Sequence, residues 1–210
     1  MAQAARDNRI SRRRWLLAGL ALPVSAWRLR GADVLSVAYD GDTLRPVVPS
    51  LHFLSGKPLD RLKDAATVAF VSQLTIFGDD HVSILKQAHE RMIISYDIWE
   101  EKFSVKMSMA NLRTPAPLST ASATENWCFE NLAISTSGIP RDRFFYLRWE
   151  MRSVDQRELA NVMAEPGLSF RALIELFSRK PGSDAPHWQL DTSRLRLADL
   201  VRTPGRGRIG

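Results

Sequence analysis

The chain has 210 residues, 45% of them apolar, enough to bury a substantial core as one domain or one domain with a small appendage. Its formal charge of +6 sits at the ends: residues 1–26 hold Arg6, Arg9, Arg12, Arg13 and Arg14 against Asp7, and the tail holds Arg202, Arg206 and Arg208. The body between is close to neutral, which argues against the concentrated positive face of a nucleic-acid binder.

The amino terminus reads as an address. Ser11-Arg12-Arg13-Arg14-Trp15-Leu16-Leu17 leads into a short apolar run to Val24, then Ser25-Ala26. A basic leader, an apolar run and a small-x-small end describe an export signal over 1–26. The run is shorter than the ~20 residues that span a bilayer. Ser11, Arg12, Arg13, Trp15 and Leu16 resemble a twin-arginine (Tat) signal peptide, with Trp15 where phenylalanine is usual and Leu17 where lysine is common. That resemblance implies a body folded before export, sometimes around a cofactor, and a periplasmic address. Cleavage is expected after Ala26. Arg28 and Arg30 just beyond keep an uncleaved inner-membrane anchor open, the only contact with membrane the sequence suggests.

Residues 33–200 read as a single β-rich domain. Val34–Tyr39 predicts a strand, with Asp40-Gly41-Asp42 as the turn after it. Thr43–Leu54 is extended in part, but Pro46 and Pro49 remove ladder donors, so an edge or broken strand is expected. Pro58–Asp64 suggests one or two helical turns. Thr67–Phe77 is the longest β-type run, with Val68, Phe70, Leu74 and Ile76 on one parity and Gly78-Asp79-Asp80 closing it. His81–Glu90 fits neither period. Arg91–Met109 then shows period two twice over. Met92, Ile94, Tyr96 and Ile98 share one parity before the link, and Phe103, Val105, Met107 and Met109 share one after it, which predicts an antiparallel hairpin.

Asn111–Thr124, rich in Pro, Ala, Ser and Thr, reads as a mobile loop feeding a helix over Ala123–Leu132 capped by Ser122 or Thr124. Arg143–Ser153 predicts a strong strand in which Phe145, Leu147, Trp149 and Met151 alternate with Phe144, Tyr146, Arg148, Glu150 and Arg152. The second face is half aromatic, so either helices cover it or it lines a groove; Phe144, Tyr146 and Arg148 make it the candidate interaction face. From Asp155 the period becomes helical, predicting helices near 155–164 and 169–179. His187–Leu197 returns as a strand or hairpin. Residues 203–210 predict a disordered basic tail.

Chemistry motifs are absent from the sequence. Cys128, the only cysteine, stands between Trp127 and Phe129 with Glu125 nearby, a setting that raises a thiol pKa and suits core packing. The histidines His52, His81, His89 and His187 show no metal-ligand spacing on one helix turn, and Asp79-Asp80-His81 fits a solvated turn better than a metal loop. Adjacent Glu100 and Glu101 point oppositely in extended chain. No catalytic, cofactor or metal residues are assigned.

Several elements together resemble a family of exported bacterial proteins of unknown function, typically encoded beside two-component sensor kinases. They are the strand Ala69–Phe77, the hairpin with Tyr96, Trp99 and Phe103-Ser104-Val105, and the short helix after a loop. Tyr146–Met151 and the Leu173, Phe177, Trp188-Gln189-Leu190 segment complete them. The resemblance implies a β-sandwich-like body with a few helices and carries no catalytic residues.

The expectation is therefore a mainly β (α+β) fold: an antiparallel, β-sandwich-like sheet covered by C-terminal helices. The expected role is a periplasmic, non-catalytic binding module, accessory to an envelope sensor or complex, whose partner is an envelope protein or a small apolar ligand. Two alternatives stand beside it. One is an enzyme with a site assembled from His81, Asp97, Glu100 and His187; the other is a lipid-carrying or structural envelope component.

Overall fold

A computed structural model describes residues 34–48, 51–108, 115–154 and 186–203. The export signal expected over 1–26, the two helices expected at 155–164 and 169–179, and the tail from 204 lie outside the described residues.

The fold is mainly antiparallel β. A three-stranded sheet is ordered β1 (Ser36–Tyr39), β2 (Thr43–Val47), β6 (Ile134–Ser135). A larger sheet is ordered β5 (Lys102–Ser108), β4 (Ile84–Asp97), β3 (Val68–Gly78), β7 (Phe144–Val154), β8 (His187–Asp191), with β9 (Leu195–Arg196) also pairing β7. Among the described residues two α-helices interrupt the strands, α1 (Lys57–Lys63) and α2 (Ala121–Asn131).

The first hairpin turns where Asp40 folds its carboxylate back on the chain. Its Oδ1 accepts from the backbone N–H of Asp42 (3.0 Å) and Thr43 (2.7 Å), and Gly41 takes φ +111°, a conformation glycine adopts without strain. The turn hydrogen bond from Asp40 N–H to Thr43 carbonyl sets the ladder so that Pro46, opposite Val37, turns its nitrogen away from β1. On that side β6 pairs only with Thr43 and Leu44. The expected edge or broken strand is thus an inner strand whose partner stops before the proline.

β3 explains its own composition. It lies between β4 and β7, so both of its edges are paired, and nine of its eleven residues are buried. Phe70, Ser72, Leu74 and Ile76 share the core face with Leu147, Trp149 and Met151 of β7 and with Met92 and Ile94 of β4. The Trp149 indole N–H donates to Ser72 Oγ at 2.9 Å, which satisfies the one polar atom of a fully buried ring. The predicted hairpin is present: Tyr96 pairs with Phe103, Ile94 with Val105, Met92 with Met107. Its first strand reaches back to Ile84, through the stretch whose period was ambiguous.

The core face is roofed by the 51–54 segment, α1, α2 and β6. Phe53 sits edge-on to Phe70 (centroids 4.9 Å) and Phe129 (5.7 Å), and Phe129 meets Trp149 at 5.5 Å. Leu62, Cys128, Leu132 and Ile134 complete the same cluster. Each large side chain buried this way contributes about 1.5–3 kcal/mol. α2 begins at Ala121, two residues earlier than predicted, because Thr120 rather than Ser122 or Thr124 caps it: its side-chain oxygen accepts from Ala123 N–H at 3.1 Å.

Candidate binding face

The second face of the large sheet is built in cross-strand rows. Arg91, Val71 and Arg152 form one; His89, Gln73 and Glu150 the next; then Gln87, Thr75 and Arg148; then Ile84, Phe77 and Tyr146. Toward the first row the face is buried, as Val71, Arg91, Arg152 and Val154 show. Toward the last it opens, and after two polar rows the last row is apolar.

A β-bulge makes that last row. Ile76 pairs with Lys86 but Phe77 pairs with Ile84, so Leu85 is the extra residue and Ile84 is turned onto the wet face beside Phe77. Ile84 is 55% exposed and Val82, at the tip of the turn, 78%. The turn itself is held by Asp80, whose carboxylate accepts from the Ser83 hydroxyl and from the N–H groups of Ser83 (2.9 Å) and Val82 (3.1 Å). Those bonds, the Ser83 hydroxyl first, hold its pKa down at about 2. His81 adopts φ +58°, unusual for a residue with a Cβ, and its ring stacks on Tyr146 at 3.6 Å with planes 30° apart.

Arginines finish the face, each fixed by an aspartate. Arg148 donates from Nε to Asp191 Oδ1 (2.7 Å), and its guanidinium lies 5.1 Å from the Phe77 centroid. Arg194 pairs with Asp79 and lies 3.8 Å above Phe144. Arg196, 5.3 Å from the same ring, forms two 2.8 Å bonds with Asp199; that pairing raises the arginine's pKa and lowers the aspartate's. Phe144, Tyr146 and Arg148 thus stand on one face, each in contact with a residue the sequence did not connect to them: Arg194 and Arg196, His81, and Phe77. The half-buried aromatic parity of β7 was the readable signal; its partners depend on tertiary pairing.

The residues of a dispersed catalytic site do not converge. His81 is in the β3–β4 turn, whereas Asp97 and Glu100 are at the opposite end of the fourteen-residue β4. His187 pairs with Arg152, in the row of Arg91. Among the described residues no three His, Cys, Asp or Glu side chains group as metal ligands do. Asp80 of the Asp79-Asp80-His81 stretch binds its own turn, as a solvated turn requires.

One polar site was missed. Glu125 in α2 is buried, its side chain 4% exposed, with Oε1 accepting from Leu54 N–H (2.6 Å) and Oε2 at 3.0 Å from His52 Nδ1. The spacing of Glu125 to Cys128 and Phe129 already placed it on the buried stripe of the helix. Cys128 is fully buried and its thiol is pushed up to about 12, by desolvation first and by Glu125 second.

No family model, curated protein or solved structure matches the chain. Among the described residues no helix is long and apolar enough to cross a membrane.

Proposed function

We propose that this chain is an exported, periplasmic binding module without catalytic chemistry, accessory to an envelope sensor or complex, and that it docks a protein partner on the open end of the second sheet face. The observation that carries the reading is the row Ile84–Phe77–Tyr146, an apolar row on the wet side of an antiparallel sheet, flanked by Phe144 and three arginines. Aromatic and arginine side chains are enriched where proteins bind proteins. The three arginines at this open end are each matched by an aspartate, Arg148 with Asp191, Arg194 with Asp79 and Arg196 with Asp199. A nucleic-acid surface needs a positive excess instead. Export rests on the twin-arginine-like leader, Ser11 to Leu17, and its apolar run.

Two measurements test the reading. Fractionation with mass measurement of the amino terminus is expected to find the chain in the periplasm starting at Trp27. Immobilised full-length chain is expected to retain an envelope protein that the Val82→Glu/Ile84→Glu variant does not. Equal retention by both chains, or turnover of a substrate, would overturn it.

A further inference from the structure

The β4–β5 turn projects from the far end of β4, about 40–45 Å from the Ile84 row at the usual rise per strand residue. Its tip shows Trp99, 90% exposed, beside Ile98, 47% exposed. A free indole of that size on a floppy loop would mean little, but this tip is braced. Asp97 Oδ1 accepts from the N–H groups of Trp99 (2.8 Å) and Glu100 (3.0 Å), Glu101 holds φ +52°, and Lys102 reaches back to Glu100 at 3.2 Å. Beneath it Tyr96 and Phe103 pack with centroids 4.8 Å apart, and Phe103 exchanges two backbone hydrogen bonds with Leu118 (2.7 and 2.9 Å). The indole is therefore displayed on a turn that has little freedom left to lose on binding.

Charge decides what it meets. Asp97, Glu100 and Glu101 are all exposed around the indole, and Lys102 pairs with one of them, Glu100. Carboxylates on both sides of a tryptophan resist entry into a bilayer and are repelled by anionic lipid. They suit a protein pocket with a basic rim. We propose that Ile98–Trp99 is the anchor of a second docking surface, whose partner is a protein offering an apolar pocket for the indole, ringed by lysine or arginine side chains that meet Asp97, Glu100 and Glu101. Buried tryptophan at the centre of an interface is the commonest carrier of binding energy. The proposal is independent of the β7 face: the two surfaces are at opposite ends of one strand, and the chain would bridge two contacts.

The test places the photo-crosslinker p-benzoylphenylalanine at Ile98 of the full-length chain in its native host. The expected result is one protein adduct, mapped by mass to an apolar segment flanked by Lys or Arg. Its yield is expected to fall at least tenfold in Trp99→Ala and in Glu100→Lys/Glu101→Lys chains and to stay unchanged in Val82→Glu/Ile84→Glu. An unchanged urea midpoint in each variant shows that folding is intact. Lipid adducts, no adduct, or an adduct indifferent to Trp99 and to charge reversal would overturn the proposal. So would Trp99-dependent sedimentation with phosphatidylcholine vesicles. Loss of envelope retention through Ile84 with the Ile98 adduct kept, or the reverse, separates failure of one surface from failure of the other.

Discussion

His81 lies flat on Tyr146, ring centroids 3.6 Å apart, although its backbone must take φ +58° to do so. This contact, together with the Asp79–Arg194 pair, ties the β3–β4 turn that shows Val82 and Ile84 to the β7 and β9 side of the sheet. Left-handed backbone at a residue with a Cβ costs on the order of 1 kcal/mol, so the stack and the Asp80 turn bonds together hold an unfavourable local state.

Trp149 and Ser72 form a buried donor–acceptor pair and act as a unit. Trp149→Ala is expected to cost about 3–5 kcal/mol, as loss of a large core aromatic does. Ser72→Ala is expected to cost about 1–3 kcal/mol by leaving the indole N–H without its acceptor. In a Trp149→Phe background the Ser72 change should cost less, because the donor has gone. Urea denaturation of the four chains gives the coupling; strict additivity would show that the 2.9 Å bond is not felt.

Glu125 ties the 51–54 segment to α2. Glu125→Ala is expected to lower stability by about 1–3 kcal/mol, since the Leu54 N–H loses its partner inside the protein. His52→Ala is expected to cost under about 1 kcal/mol, because that imidazole is 64% exposed. Equal effects in chemical denaturation would contradict this division.

The architecture was readable where burial is one-sided or complete. The alternation of Phe103, Val105 and Met107, and of Phe145, Leu147, Trp149 and Met151, names strands with one covered face. β3, nine of whose eleven residues are buried, was legible from the shared parity of Val68, Phe70, Leu74 and Ile76. The first half of β4 stayed hidden because Lys86, Ala88 and Glu90 occupy the core side there and the bulge at Leu85 shifts the parity. The cap of α2 was ambiguous because Ser119, Thr120, Ser122 and Thr124 all qualify chemically; only the chain path selects Thr120. The candidate face was legible on β7 alone. Two of its three arginines, Arg194 and Arg196, come from β9 and the residue before it, and its histidine from a turn, and sequence periodicity does not bring those together.

Asp80 makes the turn sensitive to acid. Its folded pKa of about 2 is below the ordinary aspartate value, so the stabilisation it gives is present above the unfolded pKa near 3.8 and is lost as pH falls through about 2. Thermal melts of the chain against Asp80→Asn are expected to show a difference at pH 5 that shrinks between pH 4 and pH 2. A difference constant over that window would refute the assignment.

Cys128 should behave as an inert core residue. With its pKa pushed up to about 12 and no exposure, it carries almost no thiolate at pH 8. A thiol reagent such as DTNB is expected to leave the native chain unmodified and to titrate one thiol after unfolding in guanidinium. Fast modification of the native chain would show that α2 opens.

Hydrogen exchange of the full-length chain with and without detergent-solubilised envelope tests the docking face most directly. The predicted result is slowed exchange at 78–84 and 144–148, abolished by Val82→Glu/Ile84→Glu. Unchanged exchange across both stretches while the chain still holds an envelope protein would contradict a docking role for this face.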